Sequence, residues 1–107
     1  MKTFIKFLII STLSLVVFFQ NTLSSEKIKI GLIIPISGKH SELGNSILKS
    51  VRLAINKIDD DRIQIIPKDT KSNPINSLRA SKELYEQGIR IVIGPVFNES
   101  VKYLDEL

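Results

Sequence analysis

Three short, strongly apolar segments, each ended by a proline, constrain this chain more than any other feature. The first runs Ile28-Lys29-Ile30-Gly31-Leu32-Ile33-Ile34 and stops at Pro35. It begins with alternation and ends as a continuous apolar run, the pattern of a strand covered on both faces, as in a parallel sheet. The second, Ile63-Gln64-Ile65-Ile66, stops at Pro67, and the third, Ile89-Arg90-Ile91-Val92-Ile93, is followed by Gly94-Pro95. Proline cannot donate to a sheet ladder, so each strand is expected to end there. Between them the apolar period lengthens to that of a helix. Leu43, Ile47, Val51, Ala54, Ile55 and Ile58 mark one helical face, with Ser41 as its expected N-cap and Glu42 suited to the helix dipole. Asp59, Asp60 and Asp61 would oppose the negative end of that dipole and belong in the turn beyond it. Asn73-Pro74 opens a second helix, with Asn as N-cap and Pro in the first helical position; Ile75, Leu78, Ser81, Leu84 and Tyr85 mark one face, and Gly88 stops it. Asn98 is expected to cap a last helix carrying Glu99, Val101, Leu104 and Leu107.

The order β-α-β-α-β-α, with short connections, predicts an α/β fold: the first part of a doubly wound parallel-sheet lobe. Ligands of such sheets bind at the carboxyl ends of the strands, here the loops 35–41, 68–73 and 94–100. Three apolar strands make a thin sheet. The chain therefore reads as an N-terminal piece of a longer protein, with residues 26–107 forming a partial lobe.

Residues 1–25 read as a secretory signal peptide. Lys2 and Lys6 precede an apolar core over residues 7–19, and Thr22, Leu23, Ser24 and Ser25 form a small-residue exit. A core of this length suits a leader and falls short of the ~17–25 residues of a membrane helix. Cleavage after Ser24 or Ser25 is expected, with an uncleaved anchor as the alternative. Either way the lobe lies outside the cytoplasm, periplasmic or secreted, with no membrane association after cleavage. Residues 20–26 are the one candidate linker.

Charge and residue inventory narrow the chemistry. The formal charge is +4, but from Glu26 onward 13 basic side chains face 11 acidic ones, interspersed. No basic stripe points to nucleic acid. The chain has no cysteine and a single histidine, His40. Disulfides, thiolate zinc sites, thiol catalysis and a lipidated N-terminal Cys are excluded, and His40 lacks the partners of a catalytic triad. No enzyme activity, cofactor or metal is expected. A phosphate loop fails at both ends: the position five residues before Gly38 is Ile33, and Lys39 is followed by His40. Three adjacent carboxylates at 59–61 do not make a calcium loop, whose ligands alternate with spacers. Asp69 follows the second strand, where it caps the amides of Lys71 or Ser72 or touches a ligand. Phe97 is either a pocket wall or a cover for the sheet edge.

Four motifs, in order, carry a family resemblance over nearly all of residues 28–107. Lys29-Ile30-Gly31-Leu32-Ile33-Ile34-Pro35-Ile36-Ser37-Gly38 resembles the opening of mature type I periplasmic solute-binding proteins, the leucine/isoleucine/valine-binding family. Leu43-Gly44 and the helix ending Ala54-Ile55-Asn56-Lys57-Ile58 are similar to that family's first helix. Asp69-Thr70-Lys71-Ser72-Asn73-Pro74 resembles its acidic loop, and Gly88-Ile89-Arg90-Ile91-Val92-Ile93-Gly94-Pro95 its third strand. The resemblance implies two α/β lobes closing on a small ligand, often an amino acid, and delivery to a membrane transporter permease. It places the ligand-binding residues Ser37, Gly38 and Leu43 on one cleft loop, and Phe97, Asn98, Glu99 and Ser100 on the other. With the strand-end argument, which adds Ser41, these are the candidate site. Phe97 and Glu99 depart from the small hydroxyl residues common in amino-acid binders. A related branch, the penicillin-binding-protein activators, shares Pro35-Ile36-Ser37-Gly38 and Gly94-Pro95-Val96-Phe97; it implies an envelope interaction protein with a cell-wall synthase as partner. Its best-known members are lipoproteins, and the cysteine they need is missing here.

Overall fold

β1 (Ile28–Ile34) is the central strand of a three-stranded parallel sheet, order β2-β1-β3. The computed structural model describes residues 1–19 and 25–105. β2 (Ile63–Asp69) pairs along the whole of β1, from Ile28 opposite Ile63 to Ile34 opposite Asp69; β3 (Ile91–Ile93) pairs only Ile30 to Leu32. The continuous apolar end of β1 is the core: Leu32, Ile33 and Ile34 are almost wholly buried. Ile33 packs with Ala80, Leu84 and Ile89, and Ile66 joins from β2. Both faces of β1 are covered from Gly31 to Ile34, the stretch where its apolar run is continuous, while Ile28 and Lys29 are exposed.

Ahead of the sheet, α1 (Lys2–Phe19) spans the predicted leader, and its described side chains are exposed. Among the described residues no helix is long and apolar enough to cross a membrane. Most of the expected processing segment, residues 20–24, lies outside the described residues.

α2 (Ser41–Ile58) follows β1, and the start of its apolar face is corrected by the structure. Ser41 is not the N-cap; His40 is, with no side-chain cap. The Gly44 amide already donates to the His40 carbonyl and the Ser41 amide to the Gly38 carbonyl, so the helix begins one residue early. Ile47, Val51 and Ile55 are half-buried, while Leu43 and Ile58 are exposed. The acidic turn falls where the dipole requires it: Asp59 is the left-handed C-cap, its amide on the Ile55 carbonyl. Asp60 then accepts from the Arg62 amide and guanidinium. The Arg62 hydrogen bond holds the Asp60 carboxyl down to about 2.

β2 runs through Pro67 instead of stopping there. Pro67 sits opposite Leu32 on an edge strand, where a missing N–H need not break the ladder. The expected loop 68–73 is thereby shortened, and Lys68 reaches Glu83 of α3 (Pro74–Glu86) at 2.8 Å. Asn73 caps α3 as expected, its side chain accepting from the Ile75 amide at 3.0 Å, with Pro74 in the first turn. Gly88 follows the helix with φ of 79°, a left-handed stop.

The third strand is shorter than expected, Ile91–Ile93, because Ile89 turns into the core. The last helix, α4 (Asn98–Val101), has four residues and not the two and a half turns its sequence suggests; residues 102–105 are turn. Phe97, not Asn98, is its N-cap. The Ser100 amide donates to the Phe97 carbonyl, so Asn98 is already helical.

β3 leaves an open edge, and Ile91 is 53% and Ile93 45% exposed. An apolar uncovered edge strand templates association. Residues 26–107 expressed alone should therefore self-associate, read by light scattering. A monomer with one cooperative thermal transition would contradict this.

Candidate functional site

All three strand-to-helix loops meet at the carboxyl end of the sheet, and Asp69 binds two of them together. Its Oδ1 accepts from the amides of Ile36 (2.9 Å), Ser37 (3.1 Å) and Lys71 (2.8 Å), and its Oδ2 from the Ser37 hydroxyl (2.6 Å). Partial burial pushes its carboxyl up. The hydrogen bonds from the Ser37 hydroxyl and the amides of Lys71, Ser37 and Ile36 outweigh that and hold it below the ordinary Asp range. Ser72 is a second tie: its hydroxyl donates to the Ser37 carbonyl (2.8 Å) and accepts from the His40 amide (3.0 Å). The loops press so closely that a Cβ on Gly38 would stand 2.8 Å from the Lys71 carbonyl oxygen, and φ at Gly38 is +87°.

The third loop leaves β3 at Gly94, whose φ of +104° and approach to the Ile33 carbonyl leave no room for a side chain. The Gly94–Pro95 peptide bond is cis. Phe97, in extended backbone, lays its ring against His40 with centroids 4.7 Å apart and planes at 47°. This is the range of tilted aromatic pairs, and it joins the first loop to the third.

Behind the ring pair lies a cavity of about 340 Å3. The first loop contributes Lys39 and His40, the second Thr70, Ser72, Asn73 and Pro74, the third Phe97, Asn98, Glu99 and Ser100. Its size suits a small molecule. Its polar groups are a cation, a carboxylate, amides and hydroxyls. Among the described residues no three His, Cys, Asp or Glu side chains are grouped to hold a metal ion.

Of the residues singled out from the sequence, Phe97, Asn98, Glu99 and Ser100 line the cavity. Ser37 and Gly38 stand behind the wall as the loop tie. Ser41 sits in the first turn of α2, its carbonyl accepting from Asn45 Nδ2 at 2.8 Å, and Leu43 is 44% exposed; neither lines the cavity. Phe97 is both pocket wall and partner of His40. Asp69 caps Lys71, one of the two roles open to it, and holds Ile36 and Ser37 as well. The candidate residues omit Lys39, His40, Thr70, Ser72, Asn73 and Pro74, which also line the cavity. Thr70 follows β2 directly, inside the loop 68–73 that the strand-end argument names without singling out a residue.

A family model described as periplasmic binding protein matches residues 27–106. Several solved structures share the fold. A solute-binding protein of an ABC transporter from Rhodopseudomonas palustris BisB5, in complex with 3,4-dihydroxybenzoic acid, is 26% identical with a TM-score of 0.68, over 74% of this chain and 23% of that one. The branched-chain amino acid transporter substrate-binding protein LivJ from Streptococcus pneumoniae, in complex with isoleucine, is 25% identical with a TM-score of 0.66, over 73% and 24%. An ABC transporter substrate-binding protein from Sphaerobacter thermophilus superposes with a TM-score of 0.71 at 19% identity, over 76% and 23%, a likeness of fold alone. The chain thus spans about a quarter of the length of these structures. No curated protein matches. Because the family match runs through all three strands and every loop that lines the cavity, this chain belongs to the periplasmic binding protein family.

Proposed function

We propose that this chain is part of an exported solute-binding receptor that presents a small ligand, such as an amino acid, to an ABC-type membrane transporter. The observation that carries the reading is the cavity at the carboxyl ends of three parallel strands, walled by the His40–Phe97 ring pair. The neighbours' printed ligands, isoleucine and 3,4-dihydroxybenzoic acid, are of the size such a cavity takes. The leader over residues 1–25 delivers the chain to the periplasm, where processing near Glu26 releases the lobe. Binding, not bond chemistry, is the activity. The second lobe of the clamp and the permease contact belong to the whole protein. The cell-wall reading gains no support from the solved neighbours, each of them a transporter-associated binding protein.

Phe97→Ala should weaken solute binding by ~1–3 kcal/mol, the worth of a buried ring face. Asp60→Ala, at the opposite end of the sheet, removes a surface pair with Arg62 and the hydrogen bond from its amide, and should leave binding unchanged. Calorimetry on the exported protein compares the two. Equal losses, or a loss from Asp60→Ala alone, would put the site elsewhere.

A further inference from the structure

A second cavity, of about 190 Å3, lies between the end of β2 and α3. Lys71 lines it, while its neighbours Thr70 and Ser72 line the ring-walled cavity. The other polar lining residues are Lys68, Asp69, Asn76, Arg79 and Glu83. Both carboxylates are already committed. Asp69 receives the four donors of the loop tie, and Glu83 receives Lys68 Nζ at 2.8 Å. Among the described residues Lys71 Nζ and the Arg79 guanidinium take part in no hydrogen bond or ion pair. Three cationic side chains against two carboxylates leave the lining net positive. The backbone that carries Lys71 is held in place: φ is 52° at Lys71 and 57° at Ser72, left-handed at two successive residues that are not glycine. Such backbone persists only where its surroundings fix it, here through Asp69 on the Lys71 amide and the Ser72 hydroxyl on Ser37. The cavity also lies beside an outer edge. A strand holding Pro67 is tolerated at the edge of a sheet and not at its centre, so no further strand continues the sheet past β2.

We infer that this cavity binds one small tetrahedral oxyanion, inorganic phosphate, with Arg79 and Lys71 as its principal donors. The guanidinium offers a fork of N–H groups that matches two oxygens, and Lys71 adds a second positive charge. Asn76 Nδ2 gives one hydrogen to the Thr70 carbonyl at 3.0 Å and keeps its other for the ion. The volume falls below the ~300 Å3 at which pockets for drug-sized molecules begin and leaves little room beyond a single ion. The bound anion neutralises the excess of positive charge between β2 and α3. The site lies outside the ring-walled cavity and does not rest on the solute-binding reading.

The test titrates sodium phosphate into the complete exported protein by calorimetry near neutral pH, with sodium chloride at matched ionic strength as the blank. Phosphate should bind saturably. Arg79→Gln and Lys71→Gln should each weaken it about tenfold or more, the worth of one charge-assisted donor. Lys57→Gln, which removes an exposed cation in the last turn of α2, should leave it unchanged. Arg79 and Lys71 are exposed and their charged ends hold no partner, so the unfolding temperature without phosphate should change little in either variant. Added phosphate should raise it in the parent and not in the double variant, which separates lost binding from lost folding. The inference is overturned if phosphate gives no saturable signal beyond that of chloride, or if the Arg79 and Lys71 variants bind it like the parent. A loss at Lys39→Gln in their place would put the ion in the ring-walled cavity and overturns it too. So does glycerol phosphate binding more tightly than the free ion, since the cavity would then be reading an ester. The solute-binding reading is tested apart from all of these, by Phe97→Ala with a solute.

Discussion

Replacing Gly44 by alanine should destabilise the protein by about 2–4 kcal/mol in urea unfolding. Gly44 is the one fully buried residue of α2. A Cβ there would stand 1.8 Å from the Pro35 carbonyl oxygen and 2.5 Å from its carbon. Both are backbone atoms of a buried residue at the end of the central strand, and no rotamer change relieves the clash. The helix must move away from β1 by more than an ångström. Alanine's better helix propensity returns about 1 kcal/mol, which does not offset overpacking of this severity. The displaced end of α2 carries Lys39 and His40 just ahead of it, so solute binding should fall with stability. Gly88→Ala is the comparison: nothing lies within 4 Å, but φ is 79°, and the loss should be about 1 kcal/mol. A loss below 1 kcal/mol at Gly44 would mean that α2 does not seat on Pro35 in this way.

Asp69→Ala should cost about 3 kcal/mol at neutral pH. Charged acceptors contribute ~1.5–3 kcal/mol per hydrogen bond, discounted here for partial exposure, and the carboxylate receives four donors. The pH dependence follows from the direction of its shift. Its folded-state carboxyl is held below the unfolded value of ~3.9, so its contribution is fully present above that value. It is lost as pH falls through the lower folded-state value. The parent should therefore exceed Asp69→Asn in stability by a constant margin from about pH 5 to 8, and the margin should shrink below pH 4. A margin that grows in acid would contradict the sign of the shift. Because Ser37 is held from both its amide and its hydroxyl by Asp69, the substitution should also loosen the β1–α2 loop that carries the ring of His40.

Most of the frame was legible from residue types. The alternating-to-continuous apolar run of β1 specifies a strand buried on both faces, and Leu32, Ile33 and Ile34 are buried as that requires. Asn73-Pro74 announces its helix because cap and first-turn chemistry are local. The carboxyl-end rule located the loops that meet. The misses share a cause: each depends on which strand or loop lies alongside. Pro67 breaks a central strand but not an edge strand, and edge position is a property of topology. Ser41 carries good capping chemistry, yet the Gly38 and His40 carbonyls draw the helix start back by a residue. Ser37 looked like a ligand group, and Asp69, 32 residues away, takes its hydroxyl. The His40–Phe97 pair spans 57 positions of sequence, and no local pattern announces it. Phe97, Asn98 and Ser100 lie in the loop after β3 that the carboxyl-end rule names, and Thr70 and His40 lie in the other two such loops, where no residue-type signal sets them apart from their neighbours.

The central claim is that solute binds where the three loops converge, and amide hydrogen exchange on the complete exported protein, with and without saturating solute, tests it most directly. The account predicts added protection at residues 39–40, 70–73 and 97–100, with residues 59–62 and 26–29 at the other end of the sheet unchanged. Protection at 59–62 and 26–29 with none in the three loops would contradict it.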